Sequence, residues 1–348
     1  ASGIIDSGTV TVGGNLVATT DANNGVIDLG TTTVTGTMDL TSHGTGNVTI
    51  DNATTDIVLI ASEVGGNLTL TTGNASGIID SGTVTVGGNL VAITDANNGV
   101  ITLDQMAVDG TFTLSPHNTG AVTVVNDAGL NLAASTMGGT FSGTATTGDI
   151  SDSGALAITG AATFITGATG SNIVLDHASN AFSNSVELRA DAGNEAFGNI
   201  TFVDSAAIDF ATSAGANGDL FINGSTDGAV GGNLSVTATT GNITDTVALT
   251  VSGTTTLITS ADDATIALDN TSNAFTGTIA VTTNDSSGTD ADVTIDGGTT
   301  ALNIGASTID GDLTVTSGNA SGIIDSGTVT VGGNLVVTTD ANSGVIDL

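Results

Sequence analysis

The chain has 348 residues, of which 35 are Asp or Glu and one is Arg, so its formal net charge is -34 at pH 7. Because it has no Lys, it lacks a basic surface to neutralise phosphates or anionic headgroups, which excludes nucleic acid and anionic membranes as partners. Because it has no Cys, neither disulfides nor thiolate metal sites hold the fold.

The apolar residues suit a thin core and do not suit a membrane span. They make up 39% of the chain, are mostly small or β-branched, and include only nine Phe. The longest purely apolar run, residues 57–61, is far too short to cross a bilayer. The first residues contain no basic or apolar signal region, so we expect a mature or excised piece.

A passage of 29 residues occurs three times, at residues 1–29, 75–103 and 320–348. Each later copy differs from the first at only two positions. We therefore predict a single continuous repeat region over residues 1–348.

A finer period runs beneath these copies, marked by an apolar residue shortly after a Gly. In the first half the successive separations of this marker are 22, 30, 22, 22, 29 and 23 residues. A fixed period near 22 is typical of a solenoid. The markers are Leu16, Met38, Leu68, Leu90, Phe112, Phe141 and Phe164, and then Leu234, Leu257, Ile279, Leu313 and Leu335.

Each period reads as three short strands separated by turn residues, as in GNLVATT, GVIDL and TTTVT within residues 13–35. Longer units such as residues 36–64 keep three strands, and we place their extra residues in loops. Stacking one coil on the next buries a continuous apolar column and pairs the backbone, at about 4.8 Å per coil. The sequence thus predicts an all-β fold, a parallel β-helix with three strands per coil of about 22 residues.

The first strand of each coil has a clear inward face, whereas the second does not. The alternation leaves open whether Val26 or Ile27 points inward. We also expect Asn67 and Asn89, at equivalent places in adjacent coils, to hydrogen-bond along the axis. The predicted inward residues of the first strand are Leu16, Leu68, Leu90, Phe112, Leu234 and Leu335.

Several runs resemble the repeat regions of filamentous-haemagglutinin-like adhesins exported by two-partner secretion. They are GGNLVATTDANNGVIDL, SDSGALAITGAATFITGATGSNIVLDHASNAFS and ALTVSGTTTLITSADDATIALDNTSNAFTGTIAVTT. The resemblance covers nearly the whole chain. It implies a right-handed parallel β-helix on a bacterial surface, with a low Cys content that fits passage of an unfolded chain through an outer-membrane pore.

Catalysis has little support in the sequence. The single base, Arg189, lies beside Glu187, Asp191 and Glu195, and we interpret it as one partner of a surface ion pair. With 35 acids, a pair of carboxylates at a hydrolase spacing arises by chance. The three histidines, His43, His117 and His177, fall in loop-like contexts without a nucleophile motif.

Calcium is the stronger candidate for a ligand, because stacked carboxylates repel each other and a cation reverses that repulsion. The best cluster is Asp285, Asp290 and Asp292, in DSSGTDAD. An EF-hand loop is absent, because the turn at Asp21 has no Glu at its twelfth position. The alternative is that these acids are solvated turn residues that keep the molecule soluble.

The function we expect is the non-catalytic shaft of a large secreted bacterial surface protein, adhesive or filament-forming. Its expected partners are further copies stacked end to end, or its own continuation in a longer chain, together with surface glycans or proteins of a host or neighbouring cell. The rivals are a polysaccharide-active β-helix enzyme and a calcium-binding or ice-binding solenoid.

Overall fold

Alternating Val, Ile, Leu and Thr residues give this chain a strand pattern from end to end, and strands are what it forms. The structure, a computed structural model, describes residues 3–21, 24–190, 198–211, 218–222, 229–284, 290–341 and 343–348. Parallel strands stack in a solenoid of about 14 turns with a spacing of about 22 residues. The predicted fold class is confirmed. In the described residues no helix is long and apolar enough to cross a membrane.

The strands are β1 (Ile4–Ile5), β2 (Val10–Val12), β3 (Leu16–Thr19), β4 (Ile27–Leu29), β5 (Thr32–Val34), β6 (Met38–Ser42), β7 (Val48–Asp51), β8 (Ile57–Leu59), β9 (Ser62–Val64), β10 (Leu68–Thr72), β11 (Ile78–Asp80), β12 (Val84–Val86), β13 (Leu90–Thr94), β14 (Ile101–Val108), β15 (Thr111–Ser115), β16 (Val122–Asn126), β17 (Leu130–Leu132), β18 (Ser135–Met137), β19 (Phe141–Ala145), β20 (Ile150–Asp152), β21 (Leu156–Ile158), β22 (Ala162–Thr166), β23 (Ile173–Leu175), β24 (Ala181–Phe182), β25 (Val186–Ala190), β26 (Ile200–Asp204), β27 (Ile208–Phe210), β28 (Asp219–Ile222), β29 (Ala229–Val230), β30 (Leu234–Ala238), β31 (Ile243–Asp245), β32 (Thr250–Val251), β33 (Thr255–Thr259), β34 (Ile266–Leu268), β35 (Ala274–Phe275), β36 (Thr278–Thr282), β37 (Val293–Asp296), β38 (Leu302–Ile304), β39 (Ser307–Ile309), β40 (Leu313–Ser317), β41 (Ile323–Asp325), β42 (Val329–Val331), β43 (Leu335–Thr339) and β44 (Ile346–Asp347).

The chain divides into two compact units, Ala1–Ile165 and Thr166–Leu348. The single continuous repeat region over residues 1–348 stays a prediction. In the N-terminal unit, sheet A contains β1, β4, β7, β10, β13, β15, β17 and β20. Sheet B contains β3, β6, β8, β9, β11, β12, β14, β16 and β19. The shorter pairs β2 with β5 and β18 with β21 lie outside these sheets.

The C-terminal unit has the same kind of organisation. Sheet C contains β23, β26, β30, β33, β36, β38, β39, β41, β42 and β44, and sheet D contains β25, β27, β28, β31, β34, β37, β40 and β43. A third sheet joins β29, β32 and β35. The strand pairs are parallel, as between β26 and β30, where Ile200 lies opposite Leu234.

The apolar core is a stack of inward side chains, because side chains one turn apart along the chain lie opposite each other. Ile27 is fully buried between Ile4 and Val48, whereas Val26 is only half-buried. The inward residue of the second strand is therefore Ile27.

Most of the predicted inward residues of the first strand are buried, namely Leu68, Leu90, Phe112 and Leu234. Leu16 is half-buried, and Leu335 is 50% exposed. In the described chain their strands, β3 and β43, have a paired strand on one side only, β6 and β40 respectively.

The repeated passage does not stay on one face of the solenoid. In the first copy GGNL leads into β3 of sheet B, and in the second the same four residues lead into β13 of sheet A. The two copies are 74 residues apart, roughly three and a half turns at about 22 residues per turn. The long marker separations of 30 and 29 residues are the steps at which the marker changes sheet, from Met38 to Leu68 and from Phe112 to Phe141.

Candidate functional site

The polar residue that most often precedes a strand is Asn, and in the N-terminal unit these residues form a column of hydrogen bonds. The Oδ1 atom of Asn47 accepts the backbone N–H of Asn67 at 2.9 Å, and Asn67 Oδ1 accepts the N–H of Asn89 at 2.8 Å. The column ends where Asn89 Oδ1 accepts the N–H of Thr111 at 2.9 Å. We call such a series a corner column. The amides predicted to stack at Asn67 and Asn89 are therefore bonded to backbone, because the N–H at each turn otherwise has no partner.

The Gly residues before Asn89 and Thr111 pack against the corner Asn one turn earlier. A Cβ atom on Gly88 would lie 2.4 Å from Asn67 Oδ1 and 2.9 Å from the carbonyl carbon of Gly66. Gly110 meets Asn89 Oδ1 at 2.4 Å in the same way. The Gly-Asn pair is thus a packing unit in which the Gly makes room for the side chain of the preceding turn.

The C-terminal unit has two corner columns of the same kind. In the first, Asn172, Asn199 and Asn233 each accept the N–H one turn later at 2.8 Å. In the second, carboxylates take the place of the amides. Asp292 Oδ1 accepts the N–H of Asp312 at 2.7 Å, and Asp312 Oδ1 accepts the N–H of Asn334 at 2.6 Å.

Two of the three predicted calcium ligands lie at this acidic corner column. Asp290 and Asp292 are exposed, and the N–H of Asp292 donates to the carbonyl of Asp290 at 3.0 Å. Asp285 lies outside the described residues. The pKa of Asp312 is lowered, chiefly by the N–H of Asn334 and then by its side-chain amide. Among the described residues no group of three or more His, Asp or Glu is placed to hold a metal ion. The calcium site stays a prediction.

We expect the melting temperature to rise with sodium chloride and to rise further with millimolar calcium at the same ionic strength, because screening accounts only for the first rise. The variant Asp292→Asn isolates the site, since Asn fills the same corner position in other turns and keeps the acceptor oxygen. This variant should lose the additional rise in melting temperature that calcium causes and keep the rise that sodium chloride causes. Identical melting curves in calcium and sodium would show that the calcium site is wrong.

Buried polar residues, which were not predicted from sequence, occupy some of the inward positions. Asn126 is fully buried at the end of β16. Its Oδ1 atom accepts the N–H of Val108 at 2.9 Å, and its Nδ2 atom donates to the carbonyls of Val108 at 3.1 Å and Gly129 at 2.7 Å. The alternation within β16 could have predicted this burial, because Val122 and Val124, at alternate positions of the same strand, also point inward.

Among the described residues of the C-terminal unit, two acids are buried in the same way. Asp204 is 2% exposed and Asp245 is 7% exposed. The Oδ1 atom of Asp245 accepts the N–H of Asp269 at 2.9 Å, and its Oδ2 atom accepts the Nδ2 hydrogen of Asn273 at 2.7 Å. Burial raises the pKa of Asp245 to about 6, against the lowering effect of these hydrogen bonds.

A family model described as repeats of unknown function (DUF5649) matches residues 45–116, 119–189, 197–282 and 290–348. These matches cover more than half of the chain. The chain belongs to this family. No curated protein and no solved structure matches it.

The spacing of the first two DUF5649 repeats agrees with the spacing at which the repeated passage moves from one sheet to the other. The first two begin 74 residues apart, at 45 and 119, which is the distance between the first two copies of the 29-residue passage. The match at 45–116 runs from the corner before β7 to the end of β15. The step from the first match to the second therefore corresponds to about three and a half turns and leads from sheet A, at β7, to sheet B, at β16.

The described histidines and the single Arg contact either their own turn or the turn before it. His177 Nδ1 accepts the N–H of Ser179 at 3.1 Å, and His117 Nδ1 accepts the N–H of Asn98 at 3.4 Å. His43 Nδ1 contacts the carbonyl oxygen of Thr20. The predicted ion pair of Arg189 is confirmed, and its partner is Glu187, with Nε 3.0 Å from Oε1.

One surface recess lies in the N-terminal unit, on the second DUF5649 repeat and the end of the first. It has a volume of about 380 Å³ and is lined by Asp109, Thr111, Gly129, Asn131, Asp149 and Ser151, among others. The Oδ1 atom of Asn131 is buried there without a hydrogen-bond partner. The polar side chains that line the recess are carboxylates, hydroxyls and an amide, and none of them is cationic.

Proposed function

We propose that this protein is the non-catalytic shaft of a large secreted bacterial surface protein, adhesive or filament-forming. The observation that carries the proposal is the corner column. In both units, Asn and Asp side chains of the kind that a catalytic or ligand site would use accept hydrogen bonds from the backbone of the next turn.

The finer identity we propose is a filamentous-haemagglutinin-like repeat region exported by two-partner secretion to the cell surface. The motifs GGNLVATT and ALTVSGTTTL support it, and so does the lack of Cys, which suits export of an unfolded chain. The partners we propose are copies stacked end to end or a longer chain, and surface glycans or proteins of a host or neighbouring cell.

Three measurements test this proposal. Antibodies raised against the purified chain should label intact, unpermeabilised cells that produce it, and electron microscopy should show filaments or rods. Incubation with bacterial and host polysaccharides should release no more reducing sugar than buffer does. Sugar release that depends on the protein would favour the enzyme instead, and labelling only after permeabilisation would contradict the surface location.

A further inference from the structure

Two buried asparagines in the N-terminal unit share one bonding pattern. Asn52 and Asn126, both fully buried, each bind both main-chain groups of one residue in the preceding turn. Their Oδ1 atoms accept the N–H of Val34 at 2.8 Å and of Val108 at 2.9 Å. Their Nδ2 atoms donate to the carbonyls of the same two residues, at 3.1 Å in both cases. The amide satisfies a donor and an acceptor together.

Asp204 occupies the corresponding place in the C-terminal unit. It ends β26 as Asn126 ends β16, and it is 2% exposed. Its Oδ1 atom accepts the N–H of Phe182, one turn earlier, at 3.0 Å. An ionised carboxylate has no hydrogen to donate to a carbonyl, whereas a neutral carboxyl group has one.

We propose that Asp204 is a proton switch of the C-terminal unit. In the neutral form its O–H group can donate a hydrogen bond, as the amides of Asn52 and Asn126 do. In the ionised form that donor is lost and a negative charge is buried in a site that is 2% exposed. The unit is therefore held more tightly in acid than at neutral pH.

The surroundings of Asp204 support this proposal. Burial raises its pKa, while the N–H groups of Phe182, Ser205 and Ala206 lower it, and no charged group is among the causes. The titratable residues on adjoining elements are Asp176 and His177, after β23, and Asp209, on β27; β30 carries none. The backbone connects His177 to the residue after Asp204, because the His177 carbonyl accepts the N–H of Asn180, whose carbonyl accepts the N–H of Ser205.

The sign of the pH effect follows from the direction of this shift. The folded pKa of Asp204 lies above the ordinary value of 3.8 that applies in the unfolded chain. The stability that protonation provides is fully present below 3.8 and is lost as the pH rises through the folded pKa. Asp245 acts in the same direction, so the test compares variants that all retain it.

The test is the melting temperature of Asp204→Asn as a function of pH, against Asp127→Asn as the control. Asp127 is exposed, so its replacement removes the same charge without changing a buried corner. Relative to the control, Asp204→Asn should melt roughly 2–4 °C higher at pH 7.5, and the difference should vanish near about pH 4.

The reciprocal variant, Asn126→Asp, transfers the switch to the N-terminal unit. It should lower the melting temperature at neutral pH and recover much of the loss in acid. Carbon-13 NMR of the carboxyl carbon of Asp204 measures its titration in the unmodified chain. The signal is assigned by its absence from the spectrum of Asp204→Asn. The proposal is overturned if that carbon titrates as an ordinary Asp, or if Asp204→Asn and Asp127→Asn shift the melting temperature equally at every pH.

Discussion

Replacing Asn126 with alanine is expected to lower the free energy of unfolding by about 3–5 kcal/mol. The substitution leaves the N–H and carbonyl of Val108 and the carbonyl of Gly129 without their partner, in a site from which water is excluded. Each buried group left unsatisfied costs about 1–3 kcal/mol. Urea unfolding followed by circular dichroism measures the change.

Asn131→Ala is the matched control, because it removes the same amide five residues later. The Oδ1 atom of Asn131 is buried without a hydrogen-bond partner, so its removal should not lower the stability and should raise it if it changes at all. Equal losses for the two variants would contradict the role assigned to the buried corner.

Replacing Gly88 with alanine should cost about 2–3 kcal/mol. The new Cβ atom would overlap Asn67 Oδ1, at 2.4 Å, and the backbone of Gly66, at 2.9 Å. Either the corner column breaks or the two turns move apart, and both lose hydrogen bonds or packing.

Gly14→Ala tests the same substitution in the same VGGNLVA context of the first copy. A Cβ atom there meets nothing within 4 Å, so the variant should be neutral, or stabilised by about 0.4–1 kcal/mol through the unfolded chain. Thermal or urea unfolding of both variants decides the point. If Gly14→Ala loses as much unfolding free energy as Gly88→Ala, the loss is caused by the backbone conformation of the motif and not by overlap with Asn67.

The candidate site was only partly predictable from sequence. Asp292 was singled out for its charge, but its Oδ1 atom serves the corner column, a role that Asn67 and Asn89 had suggested by their equivalent positions. Asn126 and Asp204 were missed, although both continue an inward series of apolar residues. A polar residue at an inward position looks in sequence like the end of a strand, and only its partners in the neighbouring turn show that it is satisfied.

The sequence by itself determined the period of about 22 residues, the all-β class and the parallel stacking, because a near-identical passage can only bury its apolar side chains against further turns of the same shape. The sequence also predicted the burial of Leu68 and Leu90, because apolar and polar residues alternate within each of their strands. The tertiary structure alone decided which sheet each copy joins. That choice depends on the summed length of three to four turns, so residues far apart in the chain place Leu16 in sheet B and Leu90 in sheet A.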